Sequence, residues 1–284
     1  MKLPFTKMHG LGNDFVVLDG TREPVLGWLA APPAALMRHL ADRRFGVGCD
    51  QILLVTPAPA ADVDFGYRIF NADGTESGQC ANGVRCVARY IREHGLSGKD
   101  VLRVRTQSSL MELYLLDDGR VRVNMGPPRF EPADIPLRQA ARAPLYKLEL
   151  LDGTRLAFGA AGMGNPHAVI EVADVDAAPV AAVGAALQDH PVFPERVNAG
   201  FVQFVDQGHA RLRVYERGAG ETLACGSGAC AAMAVGRLWG RLGPRAELEL
   251  RGGVLEIEWA GEAEPVWMTG PAVRVFEGSL EWAT

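Results

Sequence analysis

The chain has 284 residues, a length that suits one large domain or two modest ones. Its net charge is −5 and 48% of its residues are hydrophobic, which is typical of a globular protein. The mild acidity excludes a dedicated nucleic-acid binder, since such a protein carries a basic face. No segment approaches the roughly 20 apolar residues of a membrane helix, and the first residues lack the apolar core of a signal peptide. We therefore expect a cytoplasmic protein with no membrane partner.

Short strands dominate the predicted elements, because many short apolar runs and apolar–polar alternations recur along the chain. These runs are 15–18, 52–55, 67–70, 121–123, 168–170, 201–205, 212–215, 247–250 and 255–259. Helical spacing of apolar residues predicts three helices, over 34–45, 80–94 and 226–242. The third is small and apolar almost all round, so we expect it to be buried on most sides.

An internal repeat underlies this pattern. The segment 10–18 aligns with 162–170, and 68–71 aligns with 213–216. A cysteine follows nine residues after each of the last two segments, at Cys80 and Cys225, and each cysteine precedes a short turn that leads into a helix. We therefore predict two copies of one lobe: 1–125, to which 271–284 returns, and 126–270, with the proline-rich segment 126–132 as the linker.

The two repeated cysteines are the candidate chemical groups. At a helix N-terminus, unpaired backbone N–H groups and the macrodipole stabilise negative charge, so we expect the pKa of each thiol to be lowered. The same N–H groups can bind a carboxylate. Two such helices facing each other across a cleft would place one thiol on each side of a carbon next to a carboxylate. This arrangement suits stereoinversion, in which one group removes a proton and another returns one to the opposite face.

The other cysteines and the familiar cofactor motifs point elsewhere. We expect Cys49, Cys86 and Cys230 to be buried core residues, and an odd, sparse set of five cysteines fits reduced thiols. The cysteine spacings do not suit zinc, no Cys-x-x-Cys redox motif occurs, and the Gly-x-Gly turns lack the third glycine of a dinucleotide site. No context for a pyridoxal lysine is recognisable. We therefore expect no metal and no cofactor.

Several ordered motifs together resemble those of the diaminopimelate epimerase family. They span the chain nearly end to end and are Met8-His9-Gly10-Leu11-Gly12-Asn13-Asp14-Phe15, Asn71-Ala72-Asp73-Gly74, Asn82-Gly83-x-Arg85-Cys86, Gly164-Asn165-Pro166-His167, Phe193-Pro194-Glu195-Arg196-x-Asn198 and Tyr215-Glu216-Arg217-Gly218-x-Gly220-Glu221-Thr222-x-Ala224-Cys225-Gly226-Ser227-Gly228. The resemblance implies a cofactor-independent isomerase that interconverts L,L- and meso-diaminopimelate for lysine and peptidoglycan synthesis. It also implies an α+β fold of two pseudo-symmetric lobes, each a curved, barrel-like mixed sheet around a central helix, with the active site in the cleft between them.

The resemblance also implies roles for individual residues. Cys80 and Cys225 match the catalytic acid and base, and His167 and Glu216 match residues that poise the thiols. The remaining matches are substrate-binding residues, some through backbone N–H groups and some through side chains: Asn13, Gln51, Asn71, Ala81, Asn82, Gly83, Asn165, Asn198, Glu216, Arg217, Gly226 and Ser227. Arginine and neutral amides suit the charged heads of a diamino diacid.

Two positions depart from the family pattern. Ala81 stands where glycine is usual, but a helical first turn accepts alanine. Phe276 stands where relatives often have a tyrosine associated with dimer contacts, which leaves a homodimer open. Two alternative functions also stay open: a proline or hydroxyproline racemase-type enzyme with the same two thiols, and a catalytically silent amino-acid binding protein. The pair Glu216 and Arg217 favours a substrate with a second charged end.

Overall fold

The structure, a computed structural model, describes residues 1–28, 30–78, 81–107 and 109–282. The chain divides into two compact units. Unit 1 consists of Met1–Val123 together with the returning segment Gly270–Thr284, and unit 2 consists of Asn124–Thr269. Strands outnumber helices in both, which confirms the predicted α+β class.

Eighteen strands and four α-helices lie in the described residues. The helices are α1 (Ala34–Ala41), α2 (Ala81–Glu93), α3 (Val180–Gln188) and α4 (Gly226–Leu238). The strands are β1 (Lys2–Gly10), β2 (Asn13–Asp19), β3 (Gln51–Thr56), β4 (Phe65–Asn71), β5 (Glu76–Ser77), β6 (Val101–Arg105), β7 (Leu110–Leu115), β8 (Val121–Asn124), β9 (Tyr146–Glu149), β10 (Arg155–Gly162), β11 (Pro166–Glu171), β12 (Asn198–Asp206), β13 (His209–Glu216), β14 (Gly220–Thr222), β15 (Arg245–Leu250), β16 (Gly253–Glu258), β17 (Trp267–Gly270) and β18 (Val273–Glu281). No helix in this described part of the chain is long and apolar enough to cross a membrane.

Unit 1 is a mixed sheet that curves around α2. Strand β1 pairs antiparallel with β2 and with β18, and β2 runs parallel to β3. Strand β4 is antiparallel to β3 and β5 and parallel to β6, and the sheet continues antiparallel through β7 and β8. Helix α2 contacts strands from both parts of this sheet, so its buried face forms the centre of the unit. The apolar face of α1 packs on a second cluster with β2 and β3.

Unit 2 repeats the same sequence of pairings. Strand β10 is antiparallel to β11, β11 is parallel to β12, and β12 is antiparallel to β13. Strand β13 is then antiparallel to β14 and parallel to β15, which continues antiparallel into β16 and β17. Helix α4 takes the central position and is buried at Gly226 and throughout 228–236, as its small apolar sequence predicts. The internal repeat is therefore confirmed at the level of elements and pairings.

Individual side chains repeat as well. Arg68 donates from Nε and Nη2 to the two carboxylate oxygens of Glu76, at 2.8 and 2.6 Å. Arg213 makes the same bidentate pair with Glu221, at 2.8 and 3.0 Å. Each pair joins the strand before the repeated turn to the short strand that leads to the helix. Both hairpins are therefore held by the same bidentate Arg–Glu ion pair, which we call the hairpin fastening.

The helix ends differ from the predictions for local reasons. Helix α1 ends at Ala41 and not at residue 45, because the Asp42 carboxylate accepts the backbone N–H groups of Arg44 and Phe45, at 2.7 and 2.9 Å. Helix α4 ends at Leu238 because Gly240 has a φ of 69°, the left-handed conformation that closes a helix.

The sequence patterns did not predict helix α3 or strands β1, β5, β6, β7, β9, β10, β14, β17 and β18. The α3 sequence has apolar residues on most sides and a central glycine, Gly184, which lowers its helical signal. Packing explains that glycine: a Cβ there would lie 2.4 Å from Cγ of Tyr215.

Candidate active site

In unit 1 the predicted site residues lie at strand ends and at the start of α2. Asn13 begins β2, Gln51 begins β3, and Asn71 ends β4. The parallel register sets Phe15 beside Gln51, and the antiparallel register sets Gln51 beside Asn71. The segment Ala81-Asn82-Gly83 forms the first turn of α2. Cys80 lies outside the described residues.

Hydrogen bonds join these side chains. The Nδ2 of Asn82 donates to Oδ1 of Asn13 at 3.2 Å, and Nδ2 of Asn13 donates to Oδ2 of Asp50 at 2.8 Å. Next to them, Nε2 of Gln51 donates to Oδ1 of Asn71 at 3.0 Å. The structure thus brings together the candidate amides of unit 1.

Two charged residues support this set and were not assigned a role from the sequence. Arg85 is fully buried and donates to Oδ1 of Asn82 at 2.9 Å, to the carbonyl of Ala81 and to the carbonyl of Pro271. Asp50 accepts from Asn13. Arg85 belongs to the motif that begins at Asn82, and Asp50 directly precedes Gln51. Their closeness in sequence to candidate residues is the one feature that could have indicated their supporting role.

In unit 2, His167 and Asn198 lie side by side on the parallel strands β11 and β12. Ring atom Nε2 of His167 is 2.8 Å from Oδ1 of Asn165. Since an amide oxygen only accepts, Nε2 carries the proton of the neutral ring and Nδ1 keeps a lone pair. Burial, together with the charge of Arg217, lowers the pKa of His167 to about 3. His167 is therefore neutral at physiological pH.

Asn198 and Arg217 form the next contact. The buried Asn198 donates from Nδ2 to the carbonyl of Pro166 at 3.1 Å and accepts the backbone N–H of Arg217 at 2.8 Å. It therefore holds the strand end that carries Arg217. The Arg217 side chain is exposed and donates to the carbonyl of Glu195 at 3.0 Å.

Cys225 is the N-cap residue of α4, and its thiol is buried. Burial and the negative charge of Glu216 raise the pKa of the Cys225 thiol well above its usual value, although the Ser227 hydroxyl and the Gly228 N–H oppose this. The prediction of a lowered pKa is therefore wrong for Cys225. A helix terminus contributes about 1 kcal/mol or less, under one pKa unit, whereas full burial shifts a pKa by up to about 3–5 units.

The Glu216 carboxylate lies at the centre of the contacts around this thiol. It accepts from the Cys225 thiol and from the Thr222 hydroxyl, and the Ser227 hydroxyl is 3.7 Å from Sγ of Cys225. Chemically, the thiol holds a proton that it can deliver to a substrate. The N–H groups of Gly226 and Ser227, in the first turn of α4, can receive a carboxylate.

The three cysteines predicted to be core residues are buried, which confirms that prediction. Cys49, Cys86 and Cys230 are each at most 2% exposed. Burial raises the pKa of Cys49 to about 12, so this thiol stays protonated. Within the described residues, no group of three or more histidine, cysteine or acidic side chains is arranged to hold a metal ion.

Comparison with known proteins gives close relatives over the whole chain. The diaminopimelate epimerase family model matches residues 5–131 and 159–275. The diaminopimelate epimerase of Chromobacterium violaceum is 56% identical over 281 residues, covering 99% of this chain and 100% of that protein. That of Alkalilimnicola ehrlichii is 54% identical over 282 residues, covering 99% of both.

Solved structures share the fold at much lower identity. A hydroxyproline epimerase from Agrobacterium vitis has a TM-score of 0.72 at 17% identity, covering 98% of this chain and 92% of that one. A phenazine biosynthesis protein of Bacillus anthracis has a TM-score of 0.66 at 16% identity, covering 99% and 100%. Such low identity shows the fold alone, whereas the matches above 50% show the family: this chain belongs to the diaminopimelate epimerases, a family of isomerases.

Proposed function

We propose that this chain interconverts L,L- and meso-diaminopimelate, with one of its thiols removing the α-proton of the substrate and the other supplying a proton to the opposite face, as a step towards lysine and peptidoglycan. The observation that carries the proposal is 54–56% identity, over 99% of the chain, to two proteins named diaminopimelate epimerase. The buried thiol of Cys225, backed by the Glu216 carboxylate at a helix N-terminus, supports it with chemistry.

The reaction is a proton exchange at the carbon next to one substrate carboxylate. The thiolate of Cys80 takes the proton from one face, so that the C–H bond breaks and a carbanion forms. The thiol of Cys225 then gives its proton to the opposite face and becomes the thiolate. One C–H bond is lost and one is gained, and the enzyme ends with the protonation states of the two sulfurs exchanged.

The assignment of Cys225 as the initial acid rests on its environment. A raised pKa keeps its thiol protonated before substrate binds, because burial and the Glu216 charge both disfavour the thiolate. By elimination, Cys80 starts as the base. The backbone N–H groups at the starts of α2 and α4 bind the reacting carboxylate and stabilise the charge that develops next to it.

The far end of the substrate carries a second ammonium and a second carboxylate. Arg217 binds that carboxylate with its planar guanidinium, and neutral amides such as Asn13 and Asn165 serve the ammonium and carboxylate groups, since an amide both donates and accepts. Proline has no second charged end, so this set of residues disfavours the racemase alternative.

Isotope exchange tests the proposal. The protein is incubated in D₂O with L,L-diaminopimelate, and in parallel with L-proline, while product stereochemistry and deuterium at the α-carbon are measured. We expect meso product carrying deuterium at one α-carbon, and no exchange with proline. Exchange with proline alone would support a racemase, and exchange with neither would support a binding protein. Either result overturns the proposal.

We also infer that the enzyme works in the cytoplasm, where thiol catalysts stay reduced; Cys49 and Cys225 are both outside disulfides. For the open question of a homodimer, Val275 and Phe276 on β18 are 55% and 47% exposed and offer an apolar face. Light scattering of the purified protein measures the oligomeric state, and a monomer mass would remove the dimer from the proposal.

A further inference from the structure

We propose that Asp50 is a positioning residue that holds the side-chain amides of Asn13 and Asn82 in a single orientation for substrate binding. The orientation itself follows from the contacts of unit 1; its importance for catalysis rests on the proposed function. Asp50 accepts a hydrogen bond from the Asn13 amide, and through this contact we expect it to affect the reaction.

The contacts form a directional series from a cation to an anion. Arg85 donates to Oδ1 of Asn82 at 2.9 Å, which leaves Nδ2 of Asn82 to donate to Oδ1 of Asn13 at 3.2 Å. The Nδ2 of Asn13 then donates to Oδ2 of Asp50 at 2.8 Å. Arginine can only donate and a carboxylate can only accept, so the two ends dictate the direction of every bond between them.

Reversal of the Asn13 amide would be penalised at both ends. Its oxygen would face the Asp50 carboxylate, and its amino group would face the amino group of Asn82. Each polar group that loses its hydrogen-bond partner is destabilised, and a charged group is destabilised most. The amide therefore presents one face only, whereas an asparagine between neutral partners could turn over.

Asp50 is itself fixed, although its side chain is 47% exposed. Its Oδ1 accepts from Nη2 of Arg43 at 2.8 Å, and its Oδ2 also accepts the backbone N–H of Asp14 at 3.2 Å. Arg43 in turn makes a bidentate pair with Asp14, at 3.0 and 2.7 Å. Despite burial, the hydrogen bonds and charges of Arg43 and Lys7 hold the pKa of Asp14 at about 2, so this support stays ionised.

Close packing keeps Asn82 beside Asn13. The hairpin turn before Asn13 passes directly over the start of α2, and a Cβ on Gly10 would lie 3.0 Å from Nη2 of Arg85 and 3.3 Å from the carbonyl oxygen of Asn82. A side chain at position 10 would push against both groups, so glycine suits this close approach. The backbone thus sets the distance between the amides, and the two charged residues set their direction.

Asp50→Asn tests the proposal, because it keeps the shape but lets position 50 donate as well as accept. The matched control is Asp64→Asn in the same unit, whose carboxylate likewise accepts a backbone N–H, from Arg103 at 2.8 Å, and a cation, Lys99 at 2.6 Å. We expect Asp50→Asn to raise KM for diaminopimelate about tenfold with kcat within about threefold, and Asp64→Asn to change neither. Loss of ground-state binding appears in KM.

A double-mutant cycle identifies the route of the effect. In an Asn13→Ala background, Asp50→Asn should add less than about a twofold change in kcat/KM. An equal effect in both backgrounds would mean that Asp50 acts independently of Asn13, for example by binding the substrate ammonium directly. An unchanged KM in the single variant would also overturn the proposal.

A second readout needs no substrate. Hydrogen exchange of the Asn13 side-chain amide, measured by NMR on the free protein, should be at least about fivefold faster in Asp50→Asn and unchanged in Asp64→Asn. Equal exchange in all three proteins would refute the positioning role even if the enzyme is active. If the wild-type protein exchanges the α-hydrogen of another substrate and not that of diaminopimelate, the proposed function fails. The exchange rate of the Asn13 amide still decides the role of Asp50 in that case.

Discussion

At the scale of residues, matched positions of the two repeats carry different charges. Asn71 corresponds to Glu216, and Arg85 corresponds to Cys230, counted from the repeated cysteines. In unit 1 the helix that follows Cys80 therefore holds a buried cation in its second turn, whereas in unit 2 an anion lies against the Cys225 thiol. The negative charge favours the protonated thiol of Cys225, whereas the cation of unit 1 orients Asn82 at the start of α2.

Removal of either thiol that we propose as catalytic should abolish turnover. Cys80→Ala and Cys225→Ala should each lower kcat more than about 10³-fold with unchanged circular dichroism, since inversion needs one group on each face of the carbon. The controls are Cys86→Ala and Cys230→Ala, which remove buried core sulfurs and should retain activity. A Cys86 variant as inactive as the Cys80 variant, and equally well folded, would refute the assignment.

Neutralising Glu216 should move the pH dependence of catalysis to lower pH. Cys225 must be protonated to act as the acid, so activity in that direction falls as pH rises through its pKa. Glu216 raises that pKa by its charge and its hydrogen bond. In Glu216→Gln the alkaline limb of the kcat profile should therefore begin at a lower pH than in the wild-type protein. A profile that keeps its alkaline limb would show that Glu216 does not act on the thiol.

The control for this shift is Glu221→Gln, five residues away on the neighbouring strand. Glu221 pairs with Arg213. The described groups that shift the pKa of the Cys225 thiol are Glu216, Ser227 and Gly228, and Glu221 is not among them. Its variant should lose stability through the hairpin fastening and leave the alkaline limb in place.

At the scale of elements, the sequence was most informative where strands alternate clearly and where motifs repeat. All nine predicted strand runs lie in or across observed strands, because a short apolar run indicates a buried strand and alternation a half-buried one. Helix α3 was missed, because tertiary contact with Tyr215 and not helical propensity explains its central glycine. The ends of α1 and α4 depended on Asp42 and Gly240, whose conformations are set locally but are ambiguous in sequence.

Gly184 offers a test in which packing opposes propensity. An alanine in a helix is ordinarily better than glycine by about 1 kcal/mol, but here its Cβ would lie 2.4 Å from Tyr215. Overpacking of this kind costs about 1–3 kcal/mol, so Gly184→Ala should lower Tm by a few degrees. Ala182→Gly, at an exposed position of the same helix, measures the propensity alone. A raised Tm for Gly184→Ala would contradict the observed packing.

At the scale of the molecule, the two units differ in how the chain builds them. Unit 2 is one continuous segment with its own apolar core, whereas unit 1 needs the returning strand β18, which pairs with most of β1. A fragment 124–269 should therefore show cooperative thermal unfolding by circular dichroism. A fragment 1–123 should not, unless residues 270–284 are fused to it. Cooperative unfolding of 1–123 alone would show that β18 is dispensable.

The site could be predicted only in part, because some of its features depend on local sequence and others on tertiary contacts. Motif order located the candidate amides and the thiol of Cys225, because residue type and spacing survive in sequence. The support from Asp50 and Arg85 could not be predicted, since it depends on how a hairpin turn meets a helix across distant parts of the chain. The direction of the Cys225 pKa shift was missed for the same reason, because burial is a tertiary property that outweighs the local helix end.

The two hairpins have the same Arg–Glu ion pair, yet the two copies of the lobe can change in sequence independently of each other. In an assembly of two identical copies of such a lobe, one gene encodes both, so any substitution beside one thiol appears beside the other. Joined in one chain, the copies occupy separate codons and can diverge one position at a time. The bidentate pairs, Arg68 with Glu76 and Arg213 with Glu221, are the same in both copies. Asn71 and Glu216 each lie five residues before the glutamate of their own copy and differ in charge, as separate codons allow.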